Sequence, residues 1–519
     1  MSFLSRFNPT PTFPSYTGPY KVGSVDVEIP ATDLASPSPA PPSAPSTVAF
    51  RIFYPCEAGS NERPIRWIPN PQRGYVSAYA RFLGANSALS HIFSVFPQLL
   101  YYVSLPVSRN ARLLEPPTKT ERWPVIIFSH GLGGSRNAYS HLVGSLASHG
   151  AVVIAPDHRD GSAPISYVRE TENTPAATVD YRRIAHKPSP DVYEQRNEQL
   201  RIRLWEQGMV FDALLKIDEG KVVNNLDPNH STKSRKRERF EVLSMFKNKL
   251  DVHRPGAITW AGHSFGATTT IQLVKSTFYH ASADEKEGYV PLFTPSASSE
   301  IVKQITPASP VMLLDLWCLP LQGPSTSWLR DKPMPCYAPS GPGGTALLAI
   351  ESEAFFKWQV HLEETKRVLS EFPGSNPPVH TKPGPRFFYP ISSAHLSQSD
   401  FGILFSWVTT KVFGAKEPER VLRLNVRAML QVMRDCGVEV ADTSRVDMEE
   451  TGEVAATGKA QDWKILEPKA GTIAGWIPLT TDLDSNVAKE KISEAPSDAV
   501  VEGEVMGEMT VENGKREAA

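Results

Sequence analysis

Cysteine is scarce in this chain: four in 519 residues, at Cys56, Cys318, Cys336 and Cys436, with no C-x-x-C spacing. So few and so scattered, in a chain too long to need stapling, they read as reduced thiols and argue against a disulfide framework or a structural zinc site. Charge of one sign is lacking as well. The net charge is −2 and the pI near 6.7, which leaves no global basic field for nucleic acid. No uninterrupted apolar run of ~20 residues is present to span a bilayer. The opening residues Met1 to Phe7 lack the apolar h-region of a secretory signal. The phosphate-binding patterns G-x-G-x-x-G and G-x-x-x-x-G-K-[ST] do not occur at the glycine-rich loop around Gly131, which counts against a nucleotide site. These absences point to an intracellular, cytoplasmic protein that uses neither metal nor organic cofactor.

What is present is a large globular chain, 40% hydrophobic and 21% charged. Proline crowds the start, and Pro37 to Pro45 reads as a polyproline-type linker, so residues 1–47 are expected to precede the folded part. From Val48 to about residue 440, strand-like apolar runs alternate with helix-like segments. The runs are Val48 to Tyr54, Pro124 to Phe128, Ala151 to Ala155, Ala257 to Ala261, Val311 to Leu314, Ala346 to Ile350 and Arg386 to Tyr389. Near-continuous apolar strands of this kind belong in a mainly parallel sheet covered on both faces, an α/β domain. The interval 165–250 is an enlarged insertion. Residues 441–519 carry 17 acidic against 8 basic side chains and few large apolar ones. They read as a disordered acidic tail, with Trp463 and Trp476 as candidates for local docking.

The strongest local signal is Gly262-His263-Ser264-Phe265-Gly266, placed between the apolar run Ala257 to Ala261 and a helix-like stretch from Ala267. Accident supplies G-x-S-x-G readily in a chain of this length. The strand-to-helix setting is what makes it a nucleophile elbow, in which small residues permit a sharp reversal that lifts Ser264 off the sheet edge. A serine hydroxyl needs a base, an acid to hold that base, and backbone donors for the oxyanion. His395, in the loop Ile391 to Ser397 after the last strong strand, is the base expected downstream of Ser264; His380 is its rival in a proline-rich stretch. Two carboxylates end consecutive strands, Asp315 and Glu351, and sequence pattern alone leaves the acid open between them; Glu351, like Glu353, equally reads as a strand-end or helix-cap carboxylate. The turn His130-Gly131-Leu132-Gly133 follows another strand and offers the Leu132 N–H, complementing that of Phe265. His130 is expected to brace this loop.

Three further segments have bland and functional readings. Asp157-His158-Arg159-Asp160 resembles a ligand set, yet four adjacent side chains cannot all face one ion, so a hydrogen-bonding loop is expected. Lys233 to Arg239 reads as a solvated loop before a helix over Phe240 to Leu250, the alternative being a patch for nuclear import or an anionic surface. Ala88 to Leu105 presents Leu89, Ile92, Phe93, Phe96, Leu100 and Val103 at helical spacing, as a core-facing helix or one that dips into a lipid surface.

Taken together, several blocks resemble the platelet-activating factor acetylhydrolases of the plasma and type II intracellular group. They are Phe50 to Pro55, Trp67-Ile68-Pro69-Asn70, Phe128 to Gly133, Asp157 to Ala163, Gly262 to Gly266 and Asp315 to Leu321, in that order. The resemblance covers roughly residues 48–415. It implies an α/β-hydrolase fold and calcium-independent hydrolysis of short or oxidised sn-2 acyl chains of phospholipids. It also places the nucleophile on Ser264, the acid on Asp315 rather than Glu351, the base on His395 and the oxyanion donors on Leu132 and Phe265. It favours peripheral membrane contact through Ala88 to Leu105. Ala267 at the elbow, the Ala394-His395-Leu396-Ser397-Gln398 block and the enlarged 165–250 region depart from the family pattern and leave the substrate open. The competing expectations are a general carboxylesterase acting on non-phospholipid esters and a catalytically silent lipid-binding hydrolase fold.

Overall fold

A computed structural model describes residues 11–59, 64–84, 98–228, 242–283, 287–373, 381–450 and 461–482. Its strands are β1 (Lys21–Pro30), β2 (Thr47–Cys56), β3 (Pro64–Arg66), β4 (Ser104–Arg109), β5 (Val125–Ser129), β6 (Val152–Pro156), β7 (Ile165–Val168), β8 (Ala177–Asp180), β9 (Thr259–His263), β10 (Val311–Leu314), β11 (Leu347–Ile350), β12 (Arg386–Pro390) and β13 (Trp476–Pro478). Each of the seven expected strands forms within two residues of its expected bounds. One sheet runs in the order β13-β12-β11-β10-β9-β5-β6-β2-β1-β4-β3, and β7 pairs with β8 in a separate hairpin. From β12 through β6 the pairing is parallel; β2 runs antiparallel to both β6 and β1.

The central strands are buried along their whole length because apolar side chains alternate between two cores. Ile127, Ile154 and Ile52 meet Leu200, Leu204 and Ile271 of the Pro190–Asp218 and Phe265–Phe278 helices on one face. Ile126, Val153 and Phe53 meet Leu142, Leu146, Leu422 and Met429 of the Ser140–Ser148 and Pro418–Asp435 helices on the other. Among the described residues, no helix is long and apolar enough to cross a membrane.

Three expectations are corrected. Folded structure begins before residue 48, since β1 pairs with β2 from Lys21↔Cys56 to Pro30↔Thr47. Asp26 and Glu28 disguised this strand, but both are partnered: Arg51 donates to Asp26 at 2.8 Å and Thr47 to Glu28 at 2.7 Å. The tail is not uniformly unstructured either. A turn at Asp462–Leu466 buries Ile465 and Leu466, and β13 extends the sheet. Finally, of the segment expected as a helix over Phe240 to Leu250, the described residues 242–250 hold a 3-10 turn at Val242–Phe246, followed by Asn248 in the left-handed region at φ 58°, which ends any helix there. The length of the 165–250 insertion goes instead into the β7–β8 hairpin and the 29-residue Pro190–Asp218 helix. That helix starts on Pro190 with the Ser189 side chain accepting the Val192 N–H. The basic run Lys233 to Arg239 and the rival His380 lie outside the described residues.

Candidate active site

The register Ser129↔Gly262 and His263↔Leu314 brings the carboxyl ends of β5, β9 and β10 side by side. At the tip of β9 the chain turns through Ser264, held at φ 55° and ψ −120°, and enters the Phe265–Phe278 helix at once. A non-glycine residue rarely sits there, and such strain collects at functional sites. The turn closes because the Ser264 N–H donates to Leu314 O at 2.9 Å and the Ala267 N–H returns to Ser264 O at 3.0 Å. A Cβ on Gly266 would fall 2.0 Å from Ser129 O, so this glycine is the condition for packing the elbow against β5. A Cβ on Gly131 would fall 2.9 Å from Ser264 Cβ, which sets the His130–Gly133 loop directly against the serine.

Asp315 follows β10, also at positive φ (41°), with its N–H given to Ile350 O at 2.8 Å. One carboxylate oxygen accepts the Ser352 N–H; the other accepts His395 Nδ1 at 2.8 Å. Burial works to raise the Asp315 pKa, but the attraction of His263 and His395 outweighs it and holds the group below the ordinary carboxylate range. His395 opens the 3-10 turn after β12, buried, with its ring stacked on Phe355 at 4.6 Å. Its other face meets His263 at 4.4 Å between ring centroids. His263 Nε2 stands 3.9 Å from Asp315 Oδ2, an electrostatic contact beyond hydrogen-bond reach. Burial and the neighbouring His395 bring His263 down to about 4, so it is neutral at pH 7.

The donor atoms of His263, Asp315 and His395 lie within 4.8 Å of one another, the one such group among the described residues that a cation could share. Its carboxylate is already occupied by the Ser352 N–H and the His395 ring. Glu351, the rival acid, is buried on the neighbouring strand end, and neither carboxylate oxygen has a hydrogen-bond partner. Burial, then the charge of Asp315, push its pKa well above the ordinary range and favour its neutral form. Glu353 instead pairs with Lys357 and accepts the Ser392 N–H.

In the loop after β5, His130 donates from Nδ1 to Gly131 O at 2.8 Å and accepts the His158 N–H on Nε2 at 3.1 Å, the bracing expected of it. Burial lowers its pKa to about 4. The Asp157 to Asp160 side chains diverge. Asp157 faces Arg136, His158 lies between Ser129 Oγ and Glu206, and Asp160 pairs with Arg203. Sequence reasoning missed Tyr139, Ser352, Glu206 and Arg203. Ser352 and Tyr139 lie in unremarkable polar contexts, and the other two are single charges inside a long helix, so no local pattern marks them.

Strand order, the antiparallel second strand and a serine at a strained strand-to-helix turn define an α/β-hydrolase. The family model described as platelet-activating factor acetylhydrolase, isoform II, matches residues 5–453, and the chain belongs to that family. It is 36% identical over 268 residues to a platelet-activating factor acetylhydrolase of Cavia porcellus, covering 51% of this chain and 52% of that one. It is 28% identical over 451 residues to a Schizosaccharomyces pombe protein named "Putative phospholipase A2", covering 83% and 94%. The chain thus spans about half the length of the mammalian relatives it matches. Among solved structures it is similar to a ferulic acid esterase from Streptomyces cinnamoneus, with a TM-score of 0.41 and 14% identity over 86% of this chain and 98% of that one.

Proposed function

We propose that the chain is a serine esterase that removes short or oxidised sn-2 acyl chains from phospholipids. The hydrogen bond between Asp315 and His395, beside the Ser264 elbow, is the observation that supports this most. In this reading Ser264 Oγ attacks the ester carbonyl and passes its proton to His395 Nε2. Asp315 fixes the ring so that Nδ1 carries a proton and Nε2 is free to accept one. The Leu132 and Phe265 N–H groups hold the oxyanion; the latter is one of the unsatisfied first-turn donors of its helix. As the tetrahedral species collapses, His395 returns the proton to the leaving lysophospholipid oxygen. Water then attacks the acyl-Ser264 carbonyl, giving one proton to His395; collapse breaks the bond to Ser264 Oγ, which takes that proton back from His395 as the fatty acid leaves.

Phospholipid specificity is supported by the family and by the relatives' names. Peripheral contact with a lipid surface belongs to the same proposal. Of Ala88 to Leu105, residues 88–97 lie outside the described residues; Val103 and Leu105 are buried, and Tyr102 is exposed. Trp407, Val408 and Val412 are exposed just beyond the His395 turn and favour such contact. All four cysteines are free, which suits a reducing compartment.

Hydrolysis of acetyl phospholipid against simple acetyl esters, with fluorophosphonate labelling, tests the reading. Ser264→Ala should abolish both turnover and labelling. Retained labelling reassigns the nucleophile, and a preference for simple esters over every member of a ladder of sn-2 chain lengths replaces the phospholipase with a general carboxylesterase.

A further inference from the structure

We infer that Arg203, on the Pro190–Asp218 helix of the insertion, is a positioning residue that sets the oxyanion donors by clamping the His130–Gly131 peptide to the nucleophile helix. The inference rests on the esterase reading and adds a residue to it.

The guanidinium is fully buried and its donors fan out over three segments. Nη1 donates to His130 O at 2.8 Å and reaches Thr269 Oγ1 of the nucleophile helix at 3.3 Å. Nε donates to Asp160 at 2.8 Å and Nη2 to Ser162 Oγ at 2.6 Å. The guanidinium carbon lies 4.4 Å from the centre of the Phe265 ring. Every partner is either in the oxyanion loop, in the first turns after Ser264, or in the 160–162 loop, whose Ser162 O accepts the Gly133 N–H at 2.8 Å.

The geometry of one peptide unit makes this consequential. The His130–Gly131 carbonyl is held by Arg203, and its N–H donates to the Tyr139 hydroxyl at 3.1 Å. With both ends of that plane fixed, the next peptide can turn only about Gly131. Its carbonyl is taken by His130 Nδ1 and the Gly134 N–H, leaving the Leu132 N–H aimed by the clamp. Phe265, the other donor, carries the ring that Arg203 covers. One side chain therefore sets the separation of two donors that belong to different elements.

Stability alone does not explain a charge here. A buried ion pair such as Arg203–Asp160 is often replaceable by apolar residues of similar volume without loss of stability. An apolar residue cannot hold three segments in register through four directed contacts.

The test compares Arg203→Met and Arg203→Lys with Arg122→Met, a half-buried arginine that pairs with the buried Asp218 and donates to Leu250 O ahead of β5, at the strand ends opposite Ser264. For Arg203→Met, kcat should fall about 100-fold with KM changed less than about threefold. Affinity for a trifluoromethyl ketone, which presents an oxyanion, should fall in parallel. Lysine, able to reach one or two partners, should recover about tenfold of the loss. Arg122→Met should lower the melting temperature and leave kcat alone. Wild-type kcat in a folded Arg203→Met, or a change confined to KM, overturns the inference. If Arg203→Met does not fold, Arg203→Lys decides: reduced kcat with unchanged KM supports the clamp, and wild-type kcat removes it. Activity surviving in Ser264→Ala would instead mark failure of the esterase reading itself.

Discussion

The Tyr139 hydroxyl lies 2.8 Å from Nδ1 of His263 and accepts the Gly131 N–H, joining the oxyanion loop to the residue before the serine. With Nδ1 of the neutral His263 engaged by the hydroxyl proton, its remaining proton sits on Nε2 and faces the Asp315 carboxylate. Tyr139→Phe strands a buried N–H and a ring nitrogen together. The expected cost is about 1–3 kcal/mol of stability and about tenfold in kcat through the displaced loop. Urea unfolding beside steady-state kinetics reads both, and a variant with full stability and full turnover would show the link to be idle.

Two carboxyl groups at adjacent strand ends have opposite fates, and their amides should separate them. Asp315 is ionised and hydrogen-bonded to His395; Asn in its place favours the wrong tautomer, and kcat should fall by about 10⁴. Burial and the neighbouring Asp315 favour the protonated form of Glu351, so Glu351→Gln exchanges one uncharged group for another and should keep kcat within about threefold. The reverse ranking of the two variants would move the acid to β11.

Acid should unfold this protein through its histidines. Burial lowers His130, His141 and His263 to about 4 and His186 and His361 to about 3, and it depresses His149 and His158 too. A histidine whose folded pKa is depressed gives stability that is present above its unfolded value, ~6.5, and lost as pH falls toward the folded one. Each contributes a slope of ~1.4 kcal/mol per pH unit in that window. Glu206, raised to about 8 by burial, Asp400, raised to about 7 by burial, and Glu351 pull the other way between ~4 and ~7. The histidines outnumber them, so urea midpoints should drop steeply from pH 6.5 to 5, with net proton uptake on unfolding. A flat profile over that range would mean that the rings are solvated.

The parallel sheet was legible because its strands are short, apolar and separated by helices, a pattern with one packing solution. The elbow was legible because its glycines are forced by backbone approach, as Gly266 against Ser129 O shows. His395 and Leu132 were proposed from their positions after strands, and the choice of Asp315 over Glu351 rested on the family resemblance. What stayed hidden depends on side chains meeting across long sequence separations. Arg203 reads as one more helix charge until His130 and Asp160 are seen beside it, and β1 reads as too polar until Arg51 is placed opposite Asp26.

The tail gives the last test, because its two tryptophans make different predictions. Trp476 is buried, its indole stacked on Phe388 at 5.2 Å and its Nε1–H donated to Ile465 O at 2.9 Å. Through β13 it covers the edge of β12, the strand that leads into the His395 loop, and the Ile391 N–H at the start of that loop donates to Gly475 O at 2.9 Å. Trp476→Ala should cost about 3–5 kcal/mol. It should also lower kcat at temperatures well below the melting point, since the loop loses the strand beside it. Trp463 is 53% exposed, and Trp463→Ala should stay within about 0.5 kcal/mol of the parent. Paired urea midpoints decide the matter: equal values for the two variants would detach the 461–482 segment from the sheet and from the loop that carries His395.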